Sequence, residues 1–233
     1  MAGKVSGPYK MHKETELIYM RRTITALLMM LLVAQPAAAI EGLEFNKAFN
    51  SDGEPKRLHY VVSYNLKGSM HEAEIWREGN QRLKRRTDDA IETFVFSKGK
   101  DPEWRMVVLD LKRKIRTDID RTNLYRVGHF TDWFGMSHGL AHPIGQYQLH
   151  SSSAPEVLLR AVATCHWYTL KLEGRESGIC WSQAYRLPLM IVRDRAIEWK
   201  VTQVDTKPLP AAVFKIHDQG FVRNDANEDI SGD

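Results

Sequence analysis

The densest group of chemically capable side chains is "HFTDWFGMSHGLAHPIGQYQLH", residues 129–150, which holds His129, His138, His142, His150 and Asp132. Imidazole pairs four residues apart share one face of a helix, as zinc pairs do, and His138 and His142 have that spacing. Gly139 lies between them and Pro143 follows at once, so a regular helix through both is not expected. The glutamate of an HExxH zinc helix is missing, as are a G-x-S-x-G elbow and a glycine-rich phosphate loop. A metal-dependent enzyme using His138 and His142 therefore trails every other reading. The chain is read as non-catalytic, with no catalytic residue, metal site or cofactor.

Two carboxylate pairs could serve acid–base chemistry, Asp88 with Asp89 and Asp118 with Asp120. The first reads as a turn. The second lies at a strand end, where Asp120 could cap the next element. Neither has the apolar surroundings that raise a carboxyl pKa for general-acid work.

Cys165 and Cys180 are the only cysteines and bracket "CHWYTLKLEGRESGIC". Their meaning depends on the compartment, and "MRRTITALLMMLLVAQPAAAIEG" from Met20 supplies it. Two arginines precede about a dozen apolar residues, then Pro36 and three small residues ending at Ala39, the pattern of a cleavable export signal. The run is shorter than the roughly 20 residues a membrane span needs. The residues before Met20 read as a long n-region or an upstream start, so residues 1–39 are taken as the signal and the protein as periplasmic. An exported pair of cysteines is normally bridged, and no C-x-x-C spacing points to redox work. Cys165–Cys180 is expected as a disulfide that staples one hairpin.

The leader carries Lys4, Lys10, Lys13, Arg21 and Arg22 against Glu14 and Glu16, so its removal takes the net charge from +4 to +1. No concentrated basic face remains, and nucleic acid is not an expected partner. The basic run "RLKRR" at Arg82–Arg86 reads as the solvated face of a strand, with lipid-headgroup or partner binding as the alternative.

Strands must position whatever site exists. "RLHYVVSYNL" alternates Leu58, Tyr60, Val62, Tyr64 and Leu66. "MHEAEIWREGNQRLKRRT", "IETFVFSKGKDPEWRMVVLD" and "RKIRTDID" continue with short strands between Gly, Asn and Asp turns, as in an antiparallel meander. Four more strands follow: "CHWYTLKLEG", "GICWSQAY", "LPLMIVRD" and "AIEWKVTQVD". "KPLPAAVFKI" reads as a short closing edge strand, and residues 218–233 as a disordered acidic tail. Helical spacing is confined to Glu41–Asn50, to "RTNLYRVGHFTDWFGM" and to "APEVLLRAVAT". The fold class is mostly β (α+β), with a few helices against one face.

The order of leader, helix, strands, helical insertion and cysteine-bearing hairpin, with "GNQRLKRRTD" and "CHWYTLKLEGRESGICWSQAYRLPLMIV", resembles the periplasmic lipoprotein-carrier (LolA/LolB-like) superfamily and related secreted half-barrel domains. The resemblance implies one curved antiparallel sheet over residues 40–217, an open half-barrel whose apolar concave face is covered by helices. It carries no individual functional residue. Such a face, with six tryptophans in the chain, suits a lipid, an acyl chain or another hydrophobic ligand. Alternation assigns Tyr60, Val62, Tyr64, Phe94, Phe96, Met106 and Val108 to the groove, with Trp133 from the covering helix. The alternative is an assembly subunit whose own helices fill that face and whose rim docks a protein. The partners implied are a lipid or acylated protein and a membrane-associated protein, and a monomer is expected.

Overall fold

The computed structural model describes residues 42–97, 104–120, 123, 133–155 and 164–226. Twelve strands form one open sheet in the order β12-β6-β5-β4-β3-β2-β1-β11-β10-β9-β8-β7. They are β1 Arg57–Leu66, β2 Ser69–Glu78, β3 Arg82–Thr87, β4 Ile91–Ser97, β5 Trp104–Asp110, β6 Ile115–Asp120, β7 Tyr147–Ser152, β8 His166–Leu172, β9 Arg175–Ser182, β10 Leu187–Arg193, β11 Ala196–Asp205 and β12 Val222–Asp225. Every pairing is antiparallel except β12 with β6. The mostly-β class expected from the sequence holds. Register shifts at Val61/Val62, Pro188/Met190 and Ile191/Val192 are bulges, which sharpen local twist and coil a sheet.

The hairpins follow from turn chemistry. Asp88 and Asp89 both have positive φ (49° and 51°) between β3 and β4. They lie in a three-residue loop closed by the Thr87–Ile91 pair, in which the Ala90 amide donates to the Thr87 carbonyl (2.9 Å), and aspartate tolerates the left-handed backbone. The carboxylate pair is therefore a turn, and Asp88 also accepts from the Glu72 amide (2.9 Å).

Two short helices lie on one face, here called inner: α1, Phe45–Ala48, and α2, Trp133–His138. α1 seats Phe45 and Phe49 against Leu149, Leu170, Ile179 and Trp181. Trp133 and Met136 of α2 pack on the core formed by Leu58, Tyr60, Val62, Val95 and Met106. Among the described residues no helix is long and apolar enough to cross a membrane. The expected helix "APEVLLRAVAT" falls mostly on residues 156–163, and most of the helical stretch before Trp133, with His129 and Asp132, falls on residues 124–132. Both lie outside the described residues.

Two expectations about the chain end are corrected. "KPLPAAVFKI" contains a 3-10 turn, Ala211–Phe214, preceded by Pro210 with φ −60° and ψ 134°. Its Phe214 ring lies under the Arg82 guanidinium, 4.5 Å away. Within the expected tail, Val222–Asp225 forms β12 beside β6. Ile216 and Phe221 cover Phe94, Val107 and Leu109 on the outer face.

The cysteines form the expected disulfide. Cys165–Cys180 has a Cα–Cα distance of 5.4 Å and ties the start of β8 to β9, where Trp167 pairs with Cys180.

Candidate functional site

Strand register decides which proposed groove residues share a face. Tyr60 pairs with Ile75, which continues through Arg85 and Thr93 to Val108. Leu58 continues through Arg77, Leu83 and Val95 to Met106. Tyr60, Val62, Tyr64, Met106 and Val108 thus share the inner face, and Trp133 packs in the same core. Phe94 and Phe96 do not. They alternate with Val95, and Phe94 pairs with Lys84 and Val107 on the outer face. The groove set is corrected on this point, with Val95 taking the inner position.

The centre of the inner face is filled. Tyr60, Val62 and Met106 are buried, and a polar knot closes the space beside them. Arg77, wholly buried, sits between Glu54 and His138: its Nη2 is 3.3 Å from Glu54 Oε2 and its Nη1 is 2.8 Å from His138 Nε2. His138 Nε2 also lies 3.0 Å from that carboxylate oxygen. His138 Nδ1 faces the Phe134 carbonyl (3.0 Å), while Nε2 faces both the Glu54 carboxylate, which only accepts, and the Arg77 guanidinium, which only donates. Burial lowers the His138 pKa, against the pull of Glu54. Burial works to raise Glu54 but is outweighed by His138 and Arg77, so its carboxyl lies below the ordinary value. Burial also pushes the Tyr60 phenol up to about 12, opposed by Arg77 and Arg85.

The knot superficially joins a serine, a histidine and a carboxylate, since Ser137 Oγ is 2.8 Å from His138 Nδ1. Ser137 is wholly buried and the ring's other nitrogen is engaged by Arg77, so the group ties α2 to the sheet. His138 ends α2, and His142 is exposed with its ring 4.8 Å from that of Phe45. The structure does not bring the two histidines together as a helical pair. Among the described residues no three His, Cys, Asp or Glu side chains gather as a metal site.

The open space lies to one side of this filled centre. A cleft of about 540 Å³ runs between β1, β8–β11 and residues 139–144. Tyr64, Trp199, Ile191, Ile179, Leu170 and Leu140 are among its apolar lining residues, and Asn65, His142, Glu173, Ser177, Arg193 and Glu198 are its polar ones. Gly139 holds the 139–144 segment in place. Its φ is +67°, and a Cβ there would come within 2.4 Å of the Trp199 ring, so only glycine lets backbone and indole approach this closely. The indole is fixed in turn by a hydrogen bond from Nε1 to the Pro188 carbonyl (2.9 Å). Ile144 stands beside the cleft 89% exposed, and Leu66, two residues beyond Tyr64, is 53% exposed. A second hollow, of about 750 Å³, is lined mainly by polar groups such as Ser152, Thr169, Glu176 and Asp194 and offers little to an apolar chain.

The basic run resolves into pairs with one exception. Arg82 pairs with Glu78 at 2.5 Å, Lys84 with Glu92 at 2.7 Å and Arg86 with Asp89 at 3.0 Å. Arg85 has no carboxylate partner among the described residues.

No protein-family model matches the chain, and no curated protein matches it. Solved structures similar to it include PNGF-II, with a TM-score of 0.37 and 8% identity, covering 75% of this chain and 32% of that one. MucB is similar with a TM-score of 0.37 and 13% identity, over 71% of this chain and 58% of that one. The chain thus spans a third to somewhat over half of these proteins, and at such TM-scores the likeness defines neither a family nor an activity.

Proposed function

We propose that this is an exported, non-catalytic binding protein that holds a hydrophobic chain in the cleft beside Trp199. One observation carries the reading: an apolar cleft of about 540 Å³ stays open on a face whose centre is packed shut. That volume falls within the usual range of small-ligand sites, which pair an apolar lining with a few polar groups. Each methylene buried there contributes about 0.8 kcal/mol before the costs of association. The Cys165–Cys180 bridge and the leader support a periplasmic setting. A fluorescent acyl probe should bind saturably and quench tryptophan emission. Ile144→Asp, an exposed change that leaves the core untouched, should weaken it about tenfold, a loss of roughly 1.4 kcal/mol.

The exposure of Ile144 and Leu66 supports a second reading, in which the cleft mouth docks a protein partner. No probe binding at about 50 μM would overturn the first reading and leave the second in front.

A further inference from the structure

Three arginines project onto the inner face near its middle and its cleft, and two have their charge met. Arg77 is locked between Glu54 and His138. Arg193 donates to Ser177 Oγ (3.1 Å) and pairs with Glu198 (3.1 Å). Arg85 has neither arrangement. Its Nε donates to Thr87 Oγ1 (3.2 Å), and its guanidinium lies 5.1 Å above the Tyr64 ring, half-buried, with no carboxylate in ion-pair reach among the described residues. Its neighbours on β3 all have acidic partners, so the missing partner is particular to this position. Tyr64 is shared: one side carries Arg85, and the same ring lines the cleft 6.3 Å from that of Trp199.

An apolar cleft that ends at a ring bearing a half-buried guanidinium, with no carboxylate partner among the described residues, is complementary to a ligand with two unlike ends. We propose that the cleft takes a single-chain anionic amphiphile, an alkyl carboxylate. Its chain lies against Trp199, Ile191 and Leu140, and its headgroup passes the Tyr64 ring to pair with Arg85. The inference rests on the cleft reading above and adds the headgroup. A planar guanidinium matches a carboxylate with two parallel hydrogen bonds, and stacking on Tyr64 leaves its edge free for them. Glu198 at the cleft already occupies Arg193, which leaves Arg85 as the one of these three arginines able to accept a new anion.

Decanoate and decanol share a chain length and differ in the headgroup charge, so their affinity ratio isolates Arg85. Titrated by tryptophan fluorescence at low ionic strength and about pH 8, where the carboxylate is ionised, the protein should bind decanoate about tenfold more tightly than decanol. Arg85→Gln, checked for a native circular-dichroism spectrum, should bring that ratio to about one, and Arg85→Lys should restore part of it. Equal affinity of the two ligands for the unaltered protein, or a decanoate preference that survives in Arg85→Gln, would overturn the headgroup assignment while leaving the cleft reading intact. Failure of both ligands to bind would overturn the cleft reading and this assignment with it.

Discussion

The two halves of the inner face solve the same problem in opposite ways. Over β1–β5 the apolar surface is consumed: Trp133 and Met136 lie on it, and Arg77, Glu54 and His138 knot α2 and the 51–56 segment to the sheet. Over β8–β11 the covering segment 139–144 stands off and leaves a cleft with Trp199 and Tyr64 in its wall. The hinge between the regimes is one residue, Gly139, directly after the knot's histidine and in contact with Trp199. A fixed, ion-paired patch beside an unfilled one is how a scaffold holds a binding surface steady.

The comparison breaks most severely at Arg77. Arg77→Ala leaves a half-buried carboxylate and a buried imidazole without their cation, and removing one partner of a fully buried pair costs about 3–5 kcal/mol, an upper bound here. The midpoint of urea unfolding should fall accordingly. If Arg77→Ala matches the unaltered protein, the filled half is not held by its knot. Next is the staple under the other half. Cys165→Ser opens the bridge between β8 and β9, and the chain-entropy account gives about 3 kcal/mol for a loop of this size. The variant should stay folded at room temperature but melt earlier in calorimetry.

Gly139→Ala comes third. It asks a non-glycine residue to adopt a left-handed backbone and drives a methyl into the Trp199 ring, at a cost of about 1–3 kcal/mol. Unlike Cys165→Ser it should also shift the Trp199 emission, because it moves the indole in the cleft wall.

The smallest effect is that of acid. Folded His138 holds a proton less readily than the unfolded chain, so stability is complete well above the ordinary histidine value of about 6.5 and declines as the pH falls below it, levelling off once the folded ring is itself protonated. The folded Glu54 carboxyl is lowered, so its contribution is complete above the ordinary value of 4.5 and is lost as the pH falls through the folded pKa. Urea midpoints should therefore drop between about pH 7.5 and 5.5, and His138→Gln should flatten that limb while leaving the lower one. An unchanged slope in His138→Gln would assign the acid sensitivity elsewhere.

Alternation made ten strands legible because apolar residues recur on one face of each, buried in most and partly buried in β6. The two it missed are the sheet edges. In β7, "YQLHSS", only Leu149 is buried, and in β12, "VRND", all four residues are exposed, so neither has a pattern for alternation to find. The face of β4 was misread for the opposite reason. In "IETFVFS" three consecutive residues are apolar because both faces there are covered, Val95 by the inner core and Phe94 by Ile216 and Phe221. Only the pairing of Val95 with Leu83 and Met106 settles it. The polar knot left no sequence signal at all, since Glu54, Arg77 and His138 meet across separations of 61 and 84 residues. His138 did stand out in sequence, but as half of a pair with His142; its partners proved to be an arginine and a glutamate. The cleft had one faint sign, a glycine just before an apolar "LAHPI", whose meaning depends on Trp199 sixty residues away.

The central claim is that the inner face is open at one place and shut at another, and photolabelling reads that directly. An alkyl chain bearing a diazirine, irradiated with the purified protein and mapped by peptide mass spectrometry, should insert saturably into residues 140–144 and 191–199, with labelling suppressed by excess decanoate. Insertion centred on Val62, Met106 and Trp133, or labelling that never saturates, would contradict the account.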